Sequence, residues 1–116
     1  MSLFRGSIYI GVDNLEAAVA WYKEKLDLRE SREPIDEEVG EIALVSRNQE
    51  IFVAMGTPNE TGPDTQIFFT GNVQKSRDWL AARGVSLGPI QTDRQGTRYV
   101  EMRDLENNMI EICEEP

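Results

Sequence analysis

SIYIGVDNLEAAVAWYKEKLDL, residues 7–28, reads as a strand running directly into a helix. Apolar residues alternate at Ile8, Ile10 and Val12, the period of a strand packed on one face, and this leaves Ser7, Tyr9 and Gly11 on the other. Asn14 offers a side-chain oxygen to the unpaired N–H groups that begin a helix. Beyond it Leu15, Ala18, Val19, Tyr22 and Leu26 follow the i, i+3, i+4, i+7 spacing of one apolar stripe.

A weaker copy of the same plan returns at residues 65–84, TQIFFTGNVQKSRDWLAARG: an apolar run, an Asn where a helix starts, and a Trp seven residues later. Asn14 to Asn72 (72 − 14) and Trp21 to Trp79 (79 − 21) are both 58 residues, half of the 116-residue chain. Similarity at a fixed offset marks a duplicated unit. The chain is therefore expected to be a single domain, residues 1–116, made of modules 1–56 and 64–116. Between them the Gly-, Pro- and Asn-rich GTPNETGPD provides a linker, residues 57–63.

Between and after the two helices the pattern is one of short strands. Residues 29–40, RESREPIDEEVG, read as an edge strand and a charged loop broken by Pro34, with Glu37 and Glu38 as solvated loop charges. Residues 41–46 (EIALVS) and 50–55 (EIFVAM) form a hairpin over Arg47, Asn48 and Gln49. In the second half Gly84 ends the helix, residues 85–92 supply a strand containing Gly88-Pro89, and Asp93 to Gly96 turn the chain. Residues 98–103 (RYVEMR) and 108–113 (NMIEIC) then close a hairpin over Asp104 to Asn107. Each half is strand, helix, three strands, so the class is α+β, with helices covering one side of the sheet.

Composition narrows the functions open to such a domain. Net charge is −9, with 21 acidic against 12 basic side chains, a field that repels nucleic acid and anionic lipid surfaces. The same field either attracts a cationic small molecule or simply solubilises the surface. No apolar stretch is long enough to cross a membrane, and no signal-peptide pattern is present. A lone Cys113 excludes an intrachain disulfide, which fits a reducing, cytoplasmic setting.

The sheet face not covered by helices carries the chemistry. Alternation sends Ile110 and Ile112 to the packed side and Met109, Glu111 and Cys113 to the free side. With Tyr99, Glu101 and Arg103 facing the same way, Glu101 lies across from Glu111. Opposed carboxylates repel, so a cation, an arginine such as Arg103, or a raised pKa has to compensate, unless Glu101 sits near solvent. No Gly-rich phosphate loop follows a strand, and no histidine exists to activate a serine or Cys113.

Two pieces resemble the vicinal oxygen chelate superfamily, which includes glyoxalase I, bleomycin-resistance proteins and extradiol dioxygenases. IGVDNLEAAVAWYKEKLDL is similar to that family's opening strand and Asp-Leu-led helix. YVEMRDLENNMIEI is similar to its closing hairpin, with Leu105 in place of the usual Pro and Asn107 in place of the usual Gly. The resemblance implies two βαβββ modules forming a cupped, helix-covered sheet, the glyoxalase/bleomycin resistance fold, in a homodimer. In metal-dependent members it also implies four ligands, which fall here on Ser7, Val53, Thr65 and Glu111, or on Gln66 if the second strand slips by one residue. Of the four, only Glu111 is a metal-type donor, and the chain has no histidine, so no metal or other cofactor is expected.

The function that fits best is a metal-free small-molecule binding protein of the bleomycin-resistance-like branch, sequestering a cationic or aromatic ligand. Its candidate ligand-binding residues are Ser7, Tyr9, Thr65, Phe69, Tyr99, Glu101 and Glu111, with Trp79 as a further aromatic. The alternatives are a glyoxalase-type lyase or isomerase with an atypical metal site, and a purely structural dimer module.

Overall fold

The computed structural model describes residues 3–31, 42–56 and 66–115. The first module comprises β1 (Phe4–Gly11), α1 (Leu15–Lys25), β2 (Arg29–Glu30), β3 (Ile42–Val45) and β4 (Ile51–Gly56). The second comprises β5 (Gln66–Thr70), α2 (Val73–Ala82), β6 (Ser86–Leu87), β7 (Gln91–Thr92), β8 (Arg98–Arg103) and β9 (Met109–Glu114). The linker 57–63, Thr65 and the charged loop with Pro34, Glu37 and Glu38 lie outside the described residues.

Both helices start and stop where local chemistry dictates. Asn14 Oδ1 accepts from Ala17 N–H (3.1 Å) and Asn72 Oδ1 from Lys75 N–H (3.0 Å), the same cap 58 residues apart. At the far end of α2, Gly84 at φ +82° allows Val85 N–H to reach Leu80 C=O (3.1 Å) and Gly84 N–H to reach Ala81 C=O (3.0 Å). In α1 the left-handed position is taken by Asp27, at φ 56°, and Leu28 N–H reaches Lys23 C=O (3.2 Å).

The strands join in the order β2-β3-β4-β1-β5-β9-β8-β6, with β7 also on β8, in one large curved sheet. In each module the last strand returns beside the first in parallel: β4 on β1 and β9 on β5. The helices lie over one side, where Ile8, Ile10, Val53, Phe68, Ile110 and Ile112 from the strands pack with Tyr22, Leu26, Val73 and Leu80 from the helices. Among the described residues no helix is long and apolar enough to cross a membrane. The expected strand over residues 85–92 is divided, because Pro89 has no N–H to donate. Gly88 N–H bonds Glu101 C=O (2.9 Å), leaving β6 and β7 as two short pieces on either side.

The modules meet through little backbone pairing. β1 and β5 exchange only the pairs Phe4↔Thr70 and Arg5↔Phe69. Gly6, at φ +143°, lets them approach there, since a Cβ on it would lie 3.1 Å from the Phe68 ring and 3.3 Å from Ile67 C=O. Side chains supply the other ties. Gln66 Oε1 accepts from Tyr9 N–H (2.9 Å), and Arg5 pairs with Glu115. The Tyr22 hydroxyl, fully buried, donates to Asp104 Oδ2 (2.7 Å), and Glu106 accepts from Asp13 N–H (2.7 Å) and Asn14 N–H (3.0 Å). Burial, with the Asp104 charge beside it, pushes the Tyr22 hydroxyl far above its ordinary pKa, so it serves as a fixed donor.

Candidate functional site

On the uncovered face one row of side chains runs across each module. In the second module Glu101 on β8 is registered against Glu111 on β9, and Glu111 against Ile67 on β5. In the first, Ala43 on β3 is registered against Ala54 on β4, and Ala54 against Tyr9 on β1. Ala43 and Ala54 are buried, at 4% and 1% exposure, whereas Ile67 is 37% exposed and Phe69, two residues on, 45%. The second row is thus the open one, with half-buried Tyr99, Met109 and Cys113 around it.

The two carboxylates have the electrostatics expected of neighbours. Partial burial, and then the Glu101 charge across the strand, push the Glu111 carboxyl above its ordinary pKa. Cys113 is raised as well, by burial first, then by Glu111 and Asp93, so this thiol is protonated at neutral pH and is a poor nucleophile. Arg103 does not compensate the pair. Its Nη1 donates to Asn107 C=O (3.2 Å) in the β8–β9 turn, where Asn107 holds φ 66° in place of a glycine.

Of the sequence candidates, Ser7, Tyr9, Phe69, Tyr99, Glu101 and Glu111 share the free face, while Thr65 lies outside the described residues. Ser7 is registered against Phe52 of the first module. Trp79 is on the opposite side of the sheet, where it meets Phe4 edge-on (centroids 6.0 Å) under the Arg83 guanidinium. Ile67 went unrecognised in the sequence because the register between β5 and β9, which sets it beside Glu111, is a tertiary property.

A family model described as Glyoxalase/Bleomycin resistance protein/Dioxygenase superfamily matches residues 6–112. The chain belongs to this superfamily. Among curated proteins none matches the sequence. Solved structures of the superfamily fold include a member from Sphaerobacter thermophilus, at TM-score 0.71 and 23% identity over 94% of both chains. TnmS3, an antibiotic binding protein from Streptomyces sp. CB03234, superposes at TM-score 0.71 with 15% identity, covering 95% of this chain and 93% of its own. A lactoylglutathione lyase from Agrobacterium tumefaciens superposes at TM-score 0.62 with 17% identity, covering 93% and 90%.

The superfamily's metal positions do not fit a divalent ion here. Val53 has no donor atom and is fully buried on the helix side, whereas Glu111 faces the other way. The 58-residue offset fails at this strand: six residues (46–51) separate the paired Val45 and Phe52, but only five (104–108) separate Arg103 and Met109. The first-module counterpart of Glu111 is accordingly Ala54 (111 − 54 = 57). Gln66 is no substitute, because it pairs with Ile110 on the packed side and its carbonyl holds Tyr9 N–H. Among the described residues no three His, Cys, Asp or Glu side chains converge to hold one ion.

Proposed function

We propose that the open row of the second module binds a small molecule without help from a metal. Its cationic or hydrogen-bond-donating group meets Glu101 and Glu111, and its flat apolar body lies on Phe69 and Ile67, between Tyr99 and Tyr9. The observation that carries this is the direct opposition of Glu101 and Glu111 beside an exposed aromatic and an exposed aliphatic side chain. A ligand cation relieves the repulsion between the carboxylates and covers the apolar surface in one step. The antibiotic binding protein of the same fold supports a binding role. The apolar free face also supports a homodimer, in which a second copy completes the cleft. Sedimentation across a hundredfold dilution tests that part, and a persistent monomer counts against it.

Titration calorimetry with benzamidinium and its neutral counterpart benzamide tests the binding site. The cation should bind more tightly, and Glu111→Gln should weaken it by about 1.5–3 kcal/mol with the fold intact. Because a cation favours the ionised carboxylate, affinity should fall as pH is lowered through the raised pKa of Glu111. Equal binding of both probes, or no effect of the substitution, would refute the site. A lyase or isomerase reading is favoured by one feature, a Glu111 carboxyl with a raised pKa on an open face, which suits proton transfer. Glu111-dependent turnover of the hemithioacetal of methylglyoxal and glutathione would establish it in place of sequestration.

A further inference from the structure

On the helix side of the sheet, where the C-terminal ends of α1 and α2 meet the β3–β4 turn, lies a cleft of about 300 Å³. Its floor is apolar: Phe4, Leu26 and Ile51 are buried core side chains, and Trp79 stands edge-on to Phe4. Its rim is basic in an otherwise acidic protein, with Arg47 from the turn and Arg83 from the C-cap of α2 against the single carboxylate of Asp27. Arg83 is held in place at three points. Its guanidinium carbon sits 4.0 Å above the Trp79 ring, its Nη1 donates to Glu24 C=O (3.1 Å), and its own C=O accepts from Lys25 Nζ (2.8 Å).

A guanidinium carries five N–H donors, and the described residues use one of those on Arg83. No carboxylate among them is within ion-pair distance of Arg83 or Arg47. A half-buried Arg83 and an exposed Arg47, neither paired with a described carboxylate, over an aromatic and aliphatic floor are complementary to a small organic anion with a flat apolar body. The volume is at the lower end of what small-molecule sites enclose, about 300–1,000 Å³.

We propose that this cleft is a second ligand site, separate from the carboxylate face, and that it takes an aromatic carboxylate or sulfonate. The anion lies against Arg83 and Arg47, and the ring lies on Phe4, Ile51 and the edge of Trp79. The two sites have opposite charge preference and lie on opposite faces of the sheet, so neither stands or falls with the other.

The test is a titration of ¹⁵N-labelled protein with 2-naphthoate and, separately, with neutral 2-naphthamide, following the two indole N–H signals. A saturable shift of the Trp79 signal with naphthoate, absent from Trp21, is expected. The amide should bind about tenfold more weakly, and Arg83→Met and Arg47→Ala should each weaken naphthoate by about five- to tenfold. Arg47 is an exposed turn residue, so its substitution leaves the fold intact even if Arg83→Met does not. The proposal is overturned if Trp79 does not respond, if acid and amide bind alike, or if Arg47→Ala changes nothing.

Discussion

In the first module the row Ala43, Ala54, Tyr9 crosses β3, β4 and β1. In the second its counterpart Glu101, Glu111, Ile67 crosses β8, β9 and β5. The backbones pair in the same directions, yet Ala43 and Ala54 are buried while Glu101 and Glu111 are only half-buried beside an exposed Ile67. The two rows hold equivalent register positions on one sheet, yet one is small and buried and the other half-buried and acidic. The hairpin turns differ in the same spirit. In the first turn the Ser46 hydroxyl donates to Asn48 Oδ1 (2.7 Å) and accepts from Ile51 N–H (3.0 Å), a local closure. Asp104 in the second accepts from Glu106 N–H (2.9 Å) and Asn108 N–H (2.8 Å) and also takes the hydroxyl of Tyr22 from the other module.

The strongest way to break this comparison is to write the second row into the first. Ala54→Glu places a carboxylate at a site 1% exposed and should cost about 3–5 kcal/mol in chemical denaturation. A loss below about 1 kcal/mol would mean that the first row is as open as the second. Removing the tie between modules comes next. Asp104→Ala strands the buried Tyr22 hydroxyl and frees two turn N–H groups, for an expected loss of about 2–4 kcal/mol, and Asp104→Asn should recover part of it. Were Asp104→Ala harmless, the second turn would be as self-contained as the first.

The smallest expected effect lies in the open row itself. The folded-state pKa of Glu111 is raised, so the folded protein holds this proton more tightly than the unfolded chain does. Stability at this site is therefore lost as pH rises from the ordinary glutamate pKa through the raised one. Unliganded Glu111→Gln should be more stable than the parent protein at neutral pH by a few tenths of a kcal/mol, a value kept small by solvent screening, and equal to it in acid. Thermal melts at several pH values would show this, and a substitution that destabilises at neutral pH would mean that Glu111 has a partner in the folded chain.

Local periodicity was enough to place the helices and most of the strands. Asn14 and Asn72 cap as their spacing indicated, and Ile110 and Ile112 turn inward with Glu111 outward because side chains alternate along any strand. The opposition of Glu101 and Glu111 was legible too, since a short turn fixes which residues of two adjacent strands face each other. Val53 turns to the helix side because the 58-residue offset, sound for the helices, loses one residue at the second hairpin, and a shift of one flips every side chain to the other face. The chemistry of Trp79 suits a ligand face, but a helix presents its stripe to whatever it packs on, here Phe4 and the helix side of the sheet. What the sequence determined by itself was each element and its inner and outer sides, because these follow from the chain's own periodicity. Which rows meet, which module stays open, and where Arg83 and Arg47 come together over Trp79 were decided only by the tertiary structure, because long-range register and helix docking join residues that share no local signal.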